Sequence, residues 1–220
     1  MRLAGCCWMI VFCITGFAAE AQVTTSQYDN ARTGTYLNET QLTPQNVNPQ
    51  QFGKIFTMKV DGDVYAQPLF LGGVEIPGKG RHDVVFIATE HDSVYAFDAY
   101  GNPSGPLWQV SFLKDGASPV PAYAVQCPFI VPEIGVTSTP VIDAKTGTLY
   151  VLSRTANTHL LTTNLYHQHL HALAVTTGVE KFGGPIEIQA NVRGSGDGSN
   201  GGNVAFGPLR ENPRASPFRR

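Results

Sequence analysis

Asp83-Val84-Val85-Phe86-Ile87-Ala88-Thr89, the polar corner Glu90-His91-Asp92-Ser93, and Val94-Tyr95-Ala96-Phe97-Asp98 form the stretch on which the fold turns. Both flanks are rich in β-branched and aromatic side chains, which suit a pleated surface, and the polar residues between them favour a turn. The stretch therefore predicts a β-hairpin. Tyr65-Ala66-Gln67-Pro68-Leu69-Phe70-Leu71 upstream adds a strand, as does Leu107-Trp108-Gln109-Val110-Ser111-Phe112 beyond the corner Ala99–Pro106, giving a four-strand meander. No segment after position 21 keeps apolar residues at i, i+3, i+4 and i+7 over ten positions. With 23 Gly and 15 Pro in 220 residues, the chain is punctuated too often for a helical bundle or coiled coil, and the fold class expected is all-β.

The meander recurs. Thr139-Pro140-Val141-Ile142, the turn Asp143-Ala144-Lys145-Thr146-Gly147, Thr148-Leu149-Tyr150-Val151-Leu152, then Leu170-His171-Ala172-Leu173, the turn Thr176-Thr177-Gly178 and Glu180-Lys181-Phe182 repeat the order of the first unit. Gln67-Pro68 matches Thr139-Pro140 at an offset of 72, Tyr95-Ala96-Phe97 matches His171-Ala172-Leu173 at 76, and Trp108 matches Phe182 at 74. Offsets that drift only across loops mark a repeated supersecondary unit. A four-stranded unit of this kind buries its faces against neighbouring units, as propeller blades do. A blade from about Tyr65 to Phe112 and a second from Glu133 to Ile188 are expected, with Gly201–Phe206 as the start of a third.

Charge and the first residues narrow the setting. Fifteen Lys and Arg against 17 Asp and Glu give a net charge of −2, which excludes the basic surface of a general nucleic-acid binder. Arg2, the apolar run of 14 residues from Cys6 to Ala19 and the small-x-small site Ala19-Glu20-Ala21 read as a secretory signal over residues 1–21. The run is shorter than the ~20 apolar residues of a membrane crossing, so no membrane span is expected once the signal is removed. Three of the four cysteines lie inside it, leaving Cys127 alone, without a disulfide framework. The protein is expected to be secreted or periplasmic.

Val94-Tyr95-Ala96-Phe97-Asp98-Ala99, a Gly turn and Leu107-Trp108 resemble the repeat of pyrroloquinoline-quinone (PQQ) propellers, as do Thr148-Leu149-Tyr150-Val151 and His171-Ala172-Leu173. The likeness covers roughly residues 41–188. Tyr28-Asp29-Asn30, Leu42-Thr43-Pro44 and Phe52-Gly53-Lys54-Ile55-Phe56 are similar to the leading part of exported bacterial members. The resemblance implies a partial propeller of two four-stranded blades plus the start of a third. Its order would be signal peptide 1–21, a leading segment 22–64 with a ring-closing strand near Lys54–Val60, blade 1 and its connection 65–132, blade 2 133–188, and a Gly-rich loop, incomplete blade and unstructured tail 189–220. A propeller closes with four or more blades, so the chain reads as an amino-terminal fragment. Its open sheet edges would be covered by missing blades or by another protein. The second unit departs from the family at Ala174, where Asp is usual, and at Phe182, where Trp is usual.

The same family includes scaffolds and PQQ- and calcium-dependent dehydrogenases of alcohols or sugars. A binding or scaffold role without catalysis is expected first, the dehydrogenase second. Innermost strands line a propeller axis, which would place Gln67, Glu133 and Thr137 there, with Cys127 near the position of the dehydrogenases' cysteine pair. These four are the candidates for a PQQ or Ca²⁺ site, a carboxylate such as Glu133 supplying a hard oxygen ligand or a base. His167, His169 and His171 alternate, so a strand would present all three imidazoles on one face, a geometry suited to Zn²⁺ or Cu²⁺. His171 matches the structural Tyr95, the other two fall at a loop end, and no carboxylate lies close in sequence to orient them. Gly194–Gly202 lacks the Lys and the following helix of a phosphate loop and is expected to be a flexible surface loop.

Overall fold

The protein is described here by a computed structural model covering residues 22–37, 39–101, 104–126, 129–157 and 165–213. The strands are β1 (Gln22–Val23), β2 (Leu69–Ile76), β3 (Gly80–Ala88), β4 (Ser93–Asp98), β5 (Trp108–Ser111), β6 (Ser118–Pro121), β7 (Glu133–Ile134), β8 (Val141–Asp143), β9 (Thr148–Ala156), β10 (Tyr166–Ala174), β11 (Ile186–Glu187), β12 (Asn191–Arg193) and β13 (Asn203–Ala205). A single helical turn, α1 (Ala122–Val125), interrupts them. All pairings are antiparallel, and none of the three sheets closes on itself among the described residues. The fold is all-β. No helix among the described residues is long and apolar enough to cross a membrane.

The first sheet runs β1-β2-β3-β4-β5. Its meander follows from local chemistry. The Thr89–Ser93 corner closes with Thr89 N–H on the Ser93 carbonyl (3.0 Å), while Asp92 takes a left-handed φ of 51°. In β2 the register slips between Leu71 and Val74, where Gly73 adopts φ 66° and donates its N–H to Asp83 Oδ1 (2.8 Å). The second sheet runs β11-β10-β9-β6-β7, with β8 also paired to β9. Its β8–β9 turn is held by Asp143, whose carboxylate accepts from Lys145 N (3.1 Å) and Thr146 Oγ1 (2.9 Å).

The core lies between the two sheets. Val84, Phe86, Val94, Ala96 and Trp108 of the first pack with Ile142, Leu149, Val151, Leu173 and Val175 of the second in one buried cluster. Trp108 crosses the interface, its indole N–H reaching the Val175 carbonyl at 2.9 Å. The sheets also meet at their inner edges. The Gln67 N–H donates to Thr139 Oγ1 at 2.9 Å, joining the two positions matched by the repeat. β1 adds a second link: Gln22 and Val23 pair with β2, and the next carbonyl, of Thr24, accepts from Ile142 N in β8 (2.8 Å).

Several expectations need correction. No strand forms over residues 54–60, where Ile55 is fully displayed to solvent. Glu133–Ile134 pairs with β6 instead of opening the second meander, whose first strand is β8. The strands read as Thr148–Leu152 and Leu170–Leu173 are longer in the fold, extending to Ala156 and starting at Tyr166, and they pair throughout. Phe182 keeps the register of Trp108, since Lys181 N–H bonds the Ala172 carbonyl (2.7 Å) as Leu107 N–H bonds that of Ala96 (2.7 Å), but it is exposed with φ 57° and does not enter the core as Trp108 does. The stretch Gly201–Phe206, expected to open a third unit, carries β13, which pairs with Asn191–Arg193 in a separate two-stranded sheet turning through the Gly-rich stretch. The expected signal, Cys127 and the last seven residues lie outside the described residues.

Candidate functional site

Two places gather polar side chains. The first is an acidic end built by the Thr89–Ser93 corner, residues 60–63 and the connection 131–137. Asp61 accepts from Thr89 Oγ1 (2.9 Å) and Ser93 Oγ (2.5 Å), and the Asp63 carbonyl accepts from Glu90 N (2.9 Å), so the leading segment is tied onto the corner. Glu90 is buried, with Oε2 accepting from Gly135 N (2.8 Å) and Thr137 Oγ1 (3.0 Å) and Oε1 without a partner. Glu133 Oε1 lies 2.8 Å from His91 Nδ1. A cavity of about 360 Å³ opens here, lined by Asp61, Asp63, Glu90 and Glu133 together with Val60 and Pro132.

Behind it stands a second buried carboxylate, Asp92, whose Oδ1 accepts from Arg154 N (3.1 Å) while Oδ2 is unpartnered. Burial raises the Asp92 carboxyl well above its ordinary value, and it raises Glu90 as well, against the pull of the Gly135 and Thr137 donors. The Arg154 guanidinium is likewise buried and its pKa lowered by that burial. It is anchored by Nε on the Pro208 carbonyl (3.2 Å) and Nη2 on that of Leu209. The acidic end can attract a cation or a hydrogen-bond donor, Glu90 Oε1 being a buried acceptor left to fill.

Of the expected cofactor residues, Glu133 and Thr137 meet at this end, the latter as a donor to Glu90. Gln67 does not line the cavity; it sits on the inner edge, its Oε1 accepting from Gln27 N at 2.8 Å. Sequence reading misses Glu90 and Asp92, since a polar corner between two strands reads first as solvated turn, and Arg154, which lies beyond the recognisable part of its strand.

The second place is a cleft of about 760 Å³ between the sheets, bordered by Phe112 and Lys114 on one side and by His167, His169, His171, Ser153 and Glu180 on the other. The three histidines do share one face, but on a regular strand paired to β9 and not at a loop end. His167 and His169 stack at 5.9 Å between ring centroids and His169 and His171 lie 6.2 Å apart. Carboxylates distant in sequence orient them: Glu187 Oε1 is 2.6 Å from His167 Nδ1, and Glu180 Oε2 is 3.0 Å from His171 Nδ1. Among the described residues no three His, Cys, Asp or Glu side chains are placed to hold a metal ion together. Burial lowers the pKa of both His169 and His171. No protein-family model and no curated protein matches this chain.

Proposed function

We propose that this protein is an exported PQQ-repeat-like β-propeller segment whose sheets serve as a binding or scaffold surface, without quinone-dependent catalysis of their own. The observation that carries the reading is the Gln67 to Thr139 hydrogen bond, which joins residues 72 positions apart, the offset of the repeat itself. Equivalent inner residues of two units touch in this way when the units are neighbouring wedges around an axis. The face-to-face core supports the same arrangement. The outer faces and edges left open by two such units are surfaces for further units of the same kind or for a partner protein.

The second reading, a PQQ- and calcium-dependent dehydrogenase of alcohols or sugars, is favoured by Glu90 Oε1, a buried oxygen with no partner at the edge of an acidic cavity. The remaining donors do not fit that group. No three ligating side chains converge among the described residues, and the described indole, Trp108, is held in the core by Val175 and offers no stacking face at the acidic end. Adding PQQ and Ca²⁺ to the purified protein separates the readings. The scaffold reading expects an unchanged melting temperature; a cofactor site would stabilise the fold by about 2.7 kcal/mol at a hundredfold excess over Kd. A raised melting temperature overturns the scaffold reading in favour of the dehydrogenase.

A further inference from the structure

At the floor of the histidine cleft three side chains are linked in series. Ser153 Oγ lies 2.9 Å from His171 Nε2, and His171 Nδ1 lies 3.0 Å from Glu180 Oε2. The chemistry of the partners fixes the direction of each bond. An ionised carboxylate only accepts, so Nδ1 carries the ring proton; Nε2 of the neutral imidazole is then an acceptor, and the serine hydroxyl must donate to it. Glu180 is itself oriented, Oε1 accepting from Ala172 N at 2.9 Å. The Phe112 ring stacks on one imidazole face at 3.7 Å between centroids and so helps to hold the ring in this orientation. All three residues border the cleft, as does Lys114. At the matching position of the first sheet stands Tyr95, whose hydroxyl accepts from Gln109 Nε2 (2.9 Å); a neutral pair is enough to hold that strand face, whereas the second sheet carries a hydroxyl, an imidazole and a carboxylate in line.

We propose that Ser153, His171 and Glu180 form an acyl-transfer relay acting on short-chain esters admitted to this cleft. Ser153 is the nucleophile, His171 the general base, and Glu180 the positioning residue that holds the imidazole tautomer. A short acyl group suits this site because Ser153, though it borders the cleft, is fully buried, which leaves little room beside it for a long chain. As Oγ bonds to the ester carbonyl carbon, its proton passes to His171 Nε2 and the carbonyl π pair moves onto oxygen, in a cleft that the Lys114 cation also borders. Collapse restores the carbonyl, breaks the bond to the alkoxy oxygen and returns the proton from Nε2 to the leaving alcohol. Water then attacks the acyl-serine by the same route, giving the carboxylic acid and free Ser153.

Burial lowers the pKa of His171, which favours the neutral base, with Glu180 opposing that effect and His169 and Lys114 reinforcing it. His167, Glu187 and Asp115 also border the cleft. The relay is separate from the acidic end, and its fate does not depend on the binding-surface reading.

The test is covalent labelling of the full chain with a small fluorophosphonate at pH 8, followed by peptide mass spectrometry and by hydrolysis of p-nitrophenyl acetate. The expected result is one phosphonyl group on Ser153, absent in Ser153→Ala and formed about a hundredfold more slowly in His171→Gln. Glu180→Gln keeps an acceptor for Nδ1–H but removes the charge, so the midpoint of the pH–rate profile moves to lower pH, a shift that a purely structural contact would not produce. Folded wild-type protein, checked by circular dichroism, whose Ser153 stays unlabelled overturns the proposal, and so does labelling at an equal rate in His171→Gln. The wild-type result decides even if a variant fails to fold.

Discussion

The contact between Gly178 and Trp108 offers the sharpest measure of how the two sheets are joined. Gly178 has φ +71°, and a Cβ built there meets Trp108 Cε3 at 2.7 Å and Cζ3 at 3.0 Å. Gly178→Ala therefore carries two costs. The left-handed backbone penalises an L-residue by about 1 kcal/mol. The methyl must also push the indole from a packed interface where its N–H is bonded to Val175, an overpacking cost of roughly 2 kcal/mol. The sum, about 3 kcal/mol, corresponds to a fall in melting temperature of roughly 6–12 °C for a chain of this size. Gly183 supplies the control: its φ is +72°, but nothing lies within 4 Å of the built Cβ, so Gly183→Ala bears the backbone cost alone. Urea unfolding followed by far-ultraviolet circular dichroism should show the first variant about 2 kcal/mol less stable than the second. Equal losses within about 0.5 kcal/mol would refute the placement of the indole against that turn.

Two further outcomes test the inner edge and the buried acid. Thr139→Val deletes the acceptor of the Gln67 N–H and should lower stability by about 1–2 kcal/mol with an unchanged denaturant slope, read from urea midpoints; no loss would place the inner edges apart. Asp92→Asn keeps an oxygen for the Arg154 N–H and suits the left-handed corner. Because the Asp92 carboxyl is raised in the folded state, the native protein binds more protons than the unfolded chain above the ordinary value of 3.8, so wild-type stability falls as pH rises through the raised value. The variant escapes that loss, and its advantage over wild type should be larger at pH 8 than at pH 5. An advantage of the same size at both would show that Asp92 titrates normally.

The strands of the first sheet were legible because alternation, β-branched content and turn chemistry agree over residues 65–112. The second sheet was legible in order but not in extent. His167, Gln168 and His169 read as the polar end of a loop ahead of the strand at Leu170, yet each finds a partner on β9, and pairing across the sheet overrides local polarity. The acidic end was half visible: Glu133 and Thr137 could be placed on the inner strands, but Glu90 and Asp92 sit in a corner whose sequence says turn, and only tertiary packing buries it. Glu180 and Glu187 escaped because they meet the histidines through strand pairing across intervening turns, a distance that spacing along the chain does not encode.

β1 gives the chain an unusual schedule. Its two residues complete the rim of the first sheet, yet the carbonyl that follows them is satisfied only by Ile142, which belongs to the second. Residues 22–24 must wait for more than a hundred further residues to be made before their last bond can close. Such long-range closure slows assembly and leaves the rim uncovered in the interval. A nascent chain of this protein is thus most vulnerable to mispairing along this rim just before β8 is synthesised, and the arrival of that short strand is the event that locks β1 in place.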